Sequence, residues 1–432
     1  MPIPPRPFRR TLAAVAALAI AAAVVLAGAG SASAASDPVA QPVAGSPDGI
    51  VNAVPIGGDL YLSAIGAGTT HHHLYRFDGT TFTEVPGSPD EVIEIVPFGP
   101  LVVISAWDPA SQVPVLWSYD PVSGAFAELP GSPTNPESLL AFRNELVFGA
   151  DATVGRHLDS WNGAAFTDLT PSGTPSDPIW EVVHVNTAAQ ETLYFTATDV
   201  TTRLYSYSGG GAAGVGTTSS PGGITFLSEA NNVLYFGGDD DADPSTPNVL
   251  MSLTDSTGII APVLFGGVPL VGTFAIAPFG GANYLSSDML GSALSRFLGS
   301  TIEAVTGVTD ASTPNAVGLG STLYLGAGGS GPAHQLFAVN GTSGAAVAGS
   351  PGKVGELAVL NGALFFAGAT DPAGETVLWT LVTPADAAPT LAATGLDGAP
   401  SAIGGGAALA SLLAGLLLVR SRFVRKGRVG SQ

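Results

Sequence analysis

Four carboxylates fall within five positions, at Asp239, Asp240, Asp241 and Asp243. Oxygen-rich clusters of this kind suit Ca²⁺, so these four are the candidate metal ligands. The glycine and closing glutamate of an EF-hand loop are missing, and a plain solvated loop is the competing reading. Without a cation, four close carboxylates repel one another, so ordering them needs a cation or water. His71, His72 and His73 are adjacent. Successive strand residues point to opposite faces, so only two of the three could share a metal. No nearby Cys, Glu or second His cluster supports them, and the run reads as a polar loop, with weak zinc binding as the alternative. Five tryptophans, Trp107, Trp117, Trp161, Trp180 and Trp379, could stack on sugars. Trp117, Trp161 and Trp379 recur at equivalent repeat positions and are expected in the core. Trp107, beside Asp108, is the exposed candidate.

No catalytic residue and no cofactor site is assigned. The sequence has no Gly-x-Ser-x-Gly elbow, no His-Glu-x-x-His and no Gly-Lys-Ser/Thr phosphate loop. It has no Cys, which removes thiol nucleophiles, disulfides and thiolate metal sites. A carboxylate pair across the face of a closed ring could still hydrolyse glycosidic bonds, and spacing alone cannot reveal such a pair.

The elements that must position these residues come from one repeated unit. Its leading leucines are Leu74, Leu116, Leu158, Leu204, Leu250, Leu294, Leu336 and Leu378, separated by 42, 42, 46, 46, 44, 42 and 42 positions. Each copy has an upstream apolar partner, such as Leu60-Tyr61-Leu62 or Leu364-Phe365-Phe366, and a further apolar strand before that. A more polar strand follows, such as Phe82-Thr83-Glu84-Val85. These runs are short, rich in aromatic and β-branched residues, and bounded by Gly, Pro, Asp and Asn, which is the signature of strands. Four short strands in a unit of this length match a β-propeller blade. Several fourth strands end in Gly-Ser-Pro, as at Gly45-Ser46-Pro47, Gly87-Ser88-Pro89, Gly131-Ser132-Pro133 and Gly349-Ser350-Pro351. Proline stops the strand there and aims the chain at the next repeat.

The ends of the array predict closure. The last repeat stops near Val382 without a fourth strand, whereas residues 40–47 form a stray fourth strand resembling residues 345–351. The start of the mature chain can therefore finish the last blade. The expectation is an all-β chain: a propeller of eight four-stranded blades, seven as the fallback, spanning residues 36–384. Repeats five and six are the weakest, with a vague fourth strand near 259–264 and Asn283 in place of an apolar residue.

The chain has 14 Lys and Arg against 34 Asp and Glu, a formal net charge of −20. Such a surface repels nucleic acid and gains nothing from anionic lipid. The basic residues gather at the two ends. Arg6, Arg9 and Arg10 precede an apolar run and a small-residue site at Ala32-Ser33-Ala34, the order of a secretory signal over residues 1–34. A second apolar run, 402–419, precedes five basic residues. It is long enough for a bilayer-spanning segment (401–420), followed by a basic cytoplasmic tail (421–432). A linker, 385–400, joins it to the repeats.

Within that linker stands Leu391-Ala392-Ala393-Thr394-Gly395. Motif, apolar stretch and basic tail in this order resemble a Gram-positive cell-wall sorting signal, in the variant of high-GC actinobacteria that carries Ala in second place. The resemblance implies that a sortase cuts between Thr394 and Gly395 and joins Thr394 to a peptidoglycan precursor. A single-pass membrane anchor is the alternative. The repeats themselves loosely resemble bacterial propeller repeats reading Glu-Leu-Trp then Asp-Gly-Thr, at 74–80 and 116–120, and more distantly kelch repeats. An exported, anchored repeat scaffold with variable loops leads to one expected function: a non-catalytic surface binding or adhesion module for protein or glycan. A structural wall protein without a ligand and a propeller-type polysaccharide hydrolase or lyase are the alternatives.

Overall fold

The computed structural model describes residues 37–382, except 154, 171–181, 187–190, 199–201, 210, 216–222, 239–247, 255–258, 292–293, 300, 310, 329–333 and 372–373. For 182–186, 198, 202, 273–275, 288 and 312–315 it describes the backbone alone. The chain divides at Pro384 into two units, Met1–Pro384 and Ala385–Gln432, and the described residues belong to the first.

Thirty-two strands form eight antiparallel four-stranded sheets. After β1 (Val39–Pro42), blade 1 comprises β2 (Asn52–Ile56), β3 (Asp59–Ile65), β4 (His72–Phe77) and β5 (Phe82–Glu84). Blade 2 comprises β6 (Glu94–Phe98), β7 (Leu101–Asp108), β8 (Val113–Asp120) and β9 (Ala125–Glu128). Blade 3 comprises β10 (Thr134–Phe142), β11 (Glu145–Asp151), β12 (Arg156–Trp161) and β13 (Phe166–Asp168). Blade 4 comprises β14 (Val182–Asn186), β15 (Glu191–Thr198), β16 (Thr202–Tyr207) and β17 (Ala212–Gly214). Blade 5 comprises β18 (Phe226–Ala230), β19 (Val233–Gly238), β20 (Val249–Thr254) and β21 (Ile259–Pro262), followed by a two-stranded ribbon, β22 (Leu264–Phe265) and β23 (Val268–Pro269). Blade 6 comprises β24 (Thr273–Phe279), β25 (Ala282–Ser287), β26 (Leu294–Leu298) and β27 (Thr301–Ala304). Blade 7 comprises β28 (Ser312–Leu319), β29 (Thr322–Ala327), β30 (Gln335–Asn340) and β31 (Ser343–Ala346). Blade 8 is β32 (Lys353–Leu360), β33 (Ala363–Ala369) and β34 (Val377–Val382), completed by β1.

The second strand of each blade is apolar on both faces because both faces are covered. In β11, Leu146, Val147, Phe148 and Ala150 are all fully buried. Leu146 and Phe148 pack toward blade 2, whereas Val147 packs toward blade 4. Among the described residues, eight buried clusters are each shared by two neighbouring blades. One of them joins Leu60, Leu62 and Phe77 of blade 1 to Leu360, Phe365 and Leu378 of blade 8. First strands touch their neighbours all the way round, including β32 against β2. Each large side chain so buried contributes roughly 1.5–3 kcal/mol. No single blade can cover both of its own faces, so the ring is the unit of stability.

Closure follows the predicted strand exchange. β1 pairs antiparallel with β34, Val39 opposite Val382 and Pro42 opposite Trp379. Ala40 is buried against Leu364, Phe366 and Trp379.

A polar clasp explains why the repeats end as they do. The Ser88 hydroxyl accepts the Leu74 N–H at 2.8 Å. Ser132 does the same for Leu116 at 2.9 Å and Ser350 for Leu336 at 2.7 Å. Thr170 substitutes in blade 3, accepting the Leu158 N–H at 2.9 Å. The leading leucine's carbonyl is met by the segment after the fourth strand, as in Val85 N–H to Leu74 at 2.9 Å and Leu129 N–H to Leu116 at 2.9 Å. Between these two anchors the chain makes a tight turn, with Ser88 N–H donating to Val85 at 3.1 Å. Gly87 sits there at φ +78°, the left-handed geometry of the third residue of a type II turn, and Pro86 suits the second. A clasp, as well as a core, therefore holds these leading leucines.

The weak repeats are also accounted for. Blade 5 has its fourth strand, Ile259–Pro262, and lacks the Ser clasp; instead Leu250 N–H donates to Leu270 at 2.7 Å, just after the added ribbon. Asn283 is buried with its amide paired across the blade boundary, accepting from Asn231 at 2.9 Å and donating to the Tyr235 hydroxyl at 3.4 Å. One correction concerns the histidines: His72 and His73 open β4 rather than lying in a loop. Among the described residues the only helical element is the 3₁₀ turn Asp288–Leu290, and none is long and apolar enough to cross a membrane. The signal (1–34), the linker with Thr394 and the apolar run 402–419 lie outside the described residues.

Candidate functional site

In every blade, the entry to the first strand, the exit of the second and the entry of the third lie at one end of the sheet, as the pairing of Ile65 with His72 and of Asp108 with Val113 requires. The loops at these ends form one face of the ring. On blades 1 and 2 that face carries three exposed apolar side chains: Val51 (48 % exposed), Ile93 (37 %) and Trp107 (37 %). Val51 and Ile93 hold equivalent places, each directly before a first strand. Backbone bonds fix each of them within its own blade. Val51 N–H donates to Ser63 at 3.1 Å, Ile93 N–H to Ser105 at 2.8 Å and Trp107 N–H to Asp90 at 3.0 Å. The Asn52 amide crosses the blade boundary to the Ile93 carbonyl.

The histidine run borders this patch. His73 bridges two carboxylates, Nδ1 to Glu84 at 2.6 Å and Nε2 to Asp90 at 3.0 Å. His71 and His72 both turn to Glu91, at 2.7 and 3.4 Å, and His72 Nε2 also meets the Gly49 carbonyl at 3.0 Å. Alternation does not keep His71 and His72 apart, because the strand begins only at His72. Glu84 comes from β5, whereas Asp90 and Glu91 come from the segment entering blade 2. The sequence offered no acidic partners near the run; folding supplies them from 11 to 20 residues downstream. The His73 hydrogen bond holds the Glu84 carboxyl below its ordinary pKa. At Glu91, burial pulls upward, but the hydrogen bonds from His71 and His72 outweigh it and the carboxyl is also lowered. Burial, then the bond to Glu84, pushes the Tyr75 hydroxyl up to about 12. Among the described residues no group of three His, Cys, Asp or Glu side chains is arranged to hold a metal ion. The proposed calcium ligands Asp239, Asp240, Asp241 and Asp243 lie outside the described residues.

The other sequence candidates separate cleanly. Trp161 and Trp379 are buried in interblade clusters, and Trp117 packs against one, as their repeat positions require. Trp107 is the exposed one. Trp180 and the His184 side chain lie outside the described residues. His157 pairs with Asp168 at 2.8 Å, a contact within blade 3. Val51 and Ile93 were missed because an apolar residue before an apolar strand gives no signal of exposure.

Two carboxylates on first strands face different surroundings. Glu94 accepts the backbone N–H groups of Ser138 and Leu139 at 2.9 and 2.8 Å, and burial still raises its pKa. Burial raises Glu356 too, and no charged side chain contributes to its shift. Neither carboxylate acts on the other.

No family model matches the chain, and no curated protein matches it. Solved structures share its architecture. A computationally designed protein, Ika8, superposes with a TM-score of 0.52 at 13 % identity, covering 78 % of this chain and 98 % of its own. The Dos1 propeller superposes with a TM-score of 0.52 at 9 % identity, covering 80 % of this chain and 94 % of its own. A puromycin hydrolase variant reaches a TM-score of 0.46 at 13 % identity; this chain spans 59 % of it, and likeness at that level carries no argument. At such identities the likeness concerns fold alone. By its own eight sheets, and in line with the Dos1 propeller, the chain is an eight-bladed β-propeller.

Proposed function

We propose that this propeller is a non-catalytic cell-surface binding or adhesion module, engaging protein or glycan through the face formed by blades 1 and 2. The observation that carries this reading is the grouping of Val51, Ile93 and Trp107. Three large apolar side chains stand exposed at the same end of two neighbouring blades, which the Asn52–Ile93 hydrogen bond joins, and charged groups border them. Exposed apolar patches with polar rims mark interaction sites, and tryptophan is a preferred anchor in them.

Export and anchoring belong to the same proposal. The basic, apolar and small-residue order of residues 1–34 supports secretion, and the Leu391–Gly395 motif before an apolar run and basic tail supports sortase-mediated linkage of Thr394 to peptidoglycan. Retention by a membrane-spanning segment at 401–420 would present the propeller in the same way.

Cells displaying the full chain should adhere to a subset of a panel of immobilised proteins and glycans. The double variant Trp107→Ala/Ile93→Ser should lose that adhesion while melting at the parental temperature. Equal adhesion by parent and double variant overturns the proposal.

A further inference from the structure

We infer that the occupant of the Val51–Ile93–Trp107 face is a cationic polypeptide segment bearing an apolar side chain; this rests on the binding reading above and names its partner. Between residues 37 and 382 the chain has 32 Asp and Glu against six Lys and Arg. Four of those six are already held in ion pairs. Arg76 meets Asp59 at 2.8 Å, Arg143 meets Glu191 at 3.5 Å, Arg296 meets Glu303 at 3.1 Å, and Arg156 meets both Glu137 and Asp151 at 3.3 Å. Lys353, which opens β32 in blade 8, and Arg203, exposed near the start of β16 in blade 4, lie at this same end of their sheets, as does Arg156, which opens β12 in blade 3. The Arg156 side chain is only 13 % exposed and also donates to the carbonyls of Asn135 and Gly149. The three histidines are turned onto Glu84, Asp90 and Glu91. Beside blades 1 and 2 the charge left for a visitor is negative: the side chains of Asp90 and Glu137 remain 55 and 57 % exposed despite their partners.

That combination selects among occupants. An anionic glycan or an acidic protein meets a repulsive field from the whole ring. A neutral glycan could lie on Trp107 but gains nothing from the charge. A Lys/Arg-bearing segment gains twice. Its cationic groups meet the carboxylate rim, and a guanidinium can also stack on the Trp107 indole. Its apolar side chain covers Ile93 and Val51. Long-range attraction steers such a partner to the face, and burial of the apolar anchor retains it.

The test uses the full chain and fluorescence anisotropy with three labelled probes: a Lys/Arg-rich peptide carrying one Leu, the same peptide with Glu in place of the basic residues, and a neutral oligosaccharide. The basic peptide should bind, and raising salt from about 0.05 to about 0.5 M should weaken it about ten-fold or more. Trp107→Ala and Ile93→Ser should each weaken it by about ten-fold. Asp90→Asn with Glu137→Gln should weaken it less and flatten its salt dependence; an unchanged melting temperature certifies the fold of each variant. Binding of the neutral probe that depends on Trp107 and ignores salt overturns the cationic partner but leaves the binding face standing. Salt-sensitive binding of the basic peptide that ignores Trp107 and Ile93 overturns the inference as unspecific charge attraction. Failure of all three probes to bind also overturns it, and it overturns the binding face too if the adhesion of displaying cells is likewise indifferent to Trp107.

Discussion

The Ser46 hydroxyl accepts a 2.8 Å hydrogen bond from the backbone N–H of Leu378, a residue 332 positions away. Val43 N–H completes the pair by donating to the Leu378 carbonyl at 2.8 Å. The same clasp that joins Ser88 to Leu74 within one repeat here joins the first described strand to the last. The ring is closed by an ordinary repeat contact, made between the two ends of the array. Leu378 is fully buried, so its N–H has no water to fall back on. Ser46→Ala should cost about 1–3 kcal/mol, read as a lower urea midpoint. Ser46→Thr should retain most of the stability, because Thr170 already fills this role in blade 3.

Removal of residues 37–46 should do more than remove one strand. It strips β1 from β34 and uncovers Leu364, Phe366 and Trp379, which Ala40 helps to bury. The shortened chain should bind a hydrophobic dye and exchange the amide protons of blades 8 and 1 far faster than those of blade 4. Uniform exchange across all blades would show that closure is not what holds the ends.

Asp159 occupies a place held by Tyr75, Trp117, Tyr205, Met251, Phe337 and Trp379 in six other blades and by Ser295 in blade 6, cross-strand from fully buried Phe148. Burial, then the neighbouring Asp168 charge, raises its pKa from 3.8 to about 6. A carboxyl raised on folding contributes most below its unfolded pKa and loses that contribution as pH climbs through the folded value. The ring should therefore lose stability between about pH 4 and pH 6–7 from this residue, by about 2–3 kcal/mol. Asp159→Asn should melt higher than the parent at pH 7 and no higher at pH 4.

Glu84 should behave in the opposite sense. Its carboxyl is lowered by the His73 hydrogen bond, so its contribution is present above the ordinary carboxylate range and fades as pH falls through the folded value. Glu84→Gln should lower the melting temperature at neutral pH, and the gap to the parent should close under acid conditions. A constant gap across pH would assign Glu84 a packing role instead.

Thr394→Ala should release the protein from the wall fraction if sortase joins Thr394 to peptidoglycan. Fractionation into wall, membrane and medium reads the result; unchanged wall association ends the sorting proposal, and a shift to membrane retention identifies the apolar run as the anchor.

Much of the fold was written in local pattern. Leucines recurring at 42 to 46 positions, apolar second strands and the Gly-Ser-Pro endings specify blades, because strand propensity, turn chemistry and burial on two faces all act within one repeat. The stray strand at 40–47 also announced closure, since it copies a repeat element missing from the other end. The candidate site was legible only at Trp107, where an aromatic departs from the repeat positions. Val51 and Ile93 look like core residues in one dimension, and the partners of His73 lie on a different strand and in the next blade's entry. Exposure and proximity depend on how blades rotate about a common axis, which brings Asn52 to Ile93 and Asp90 to Trp107 through bonds between segments distant in sequence. The repeat unit was thus determined residue by residue. The face was decided by the ring, because only packing of one sheet against the next fixes which side chains are left uncovered.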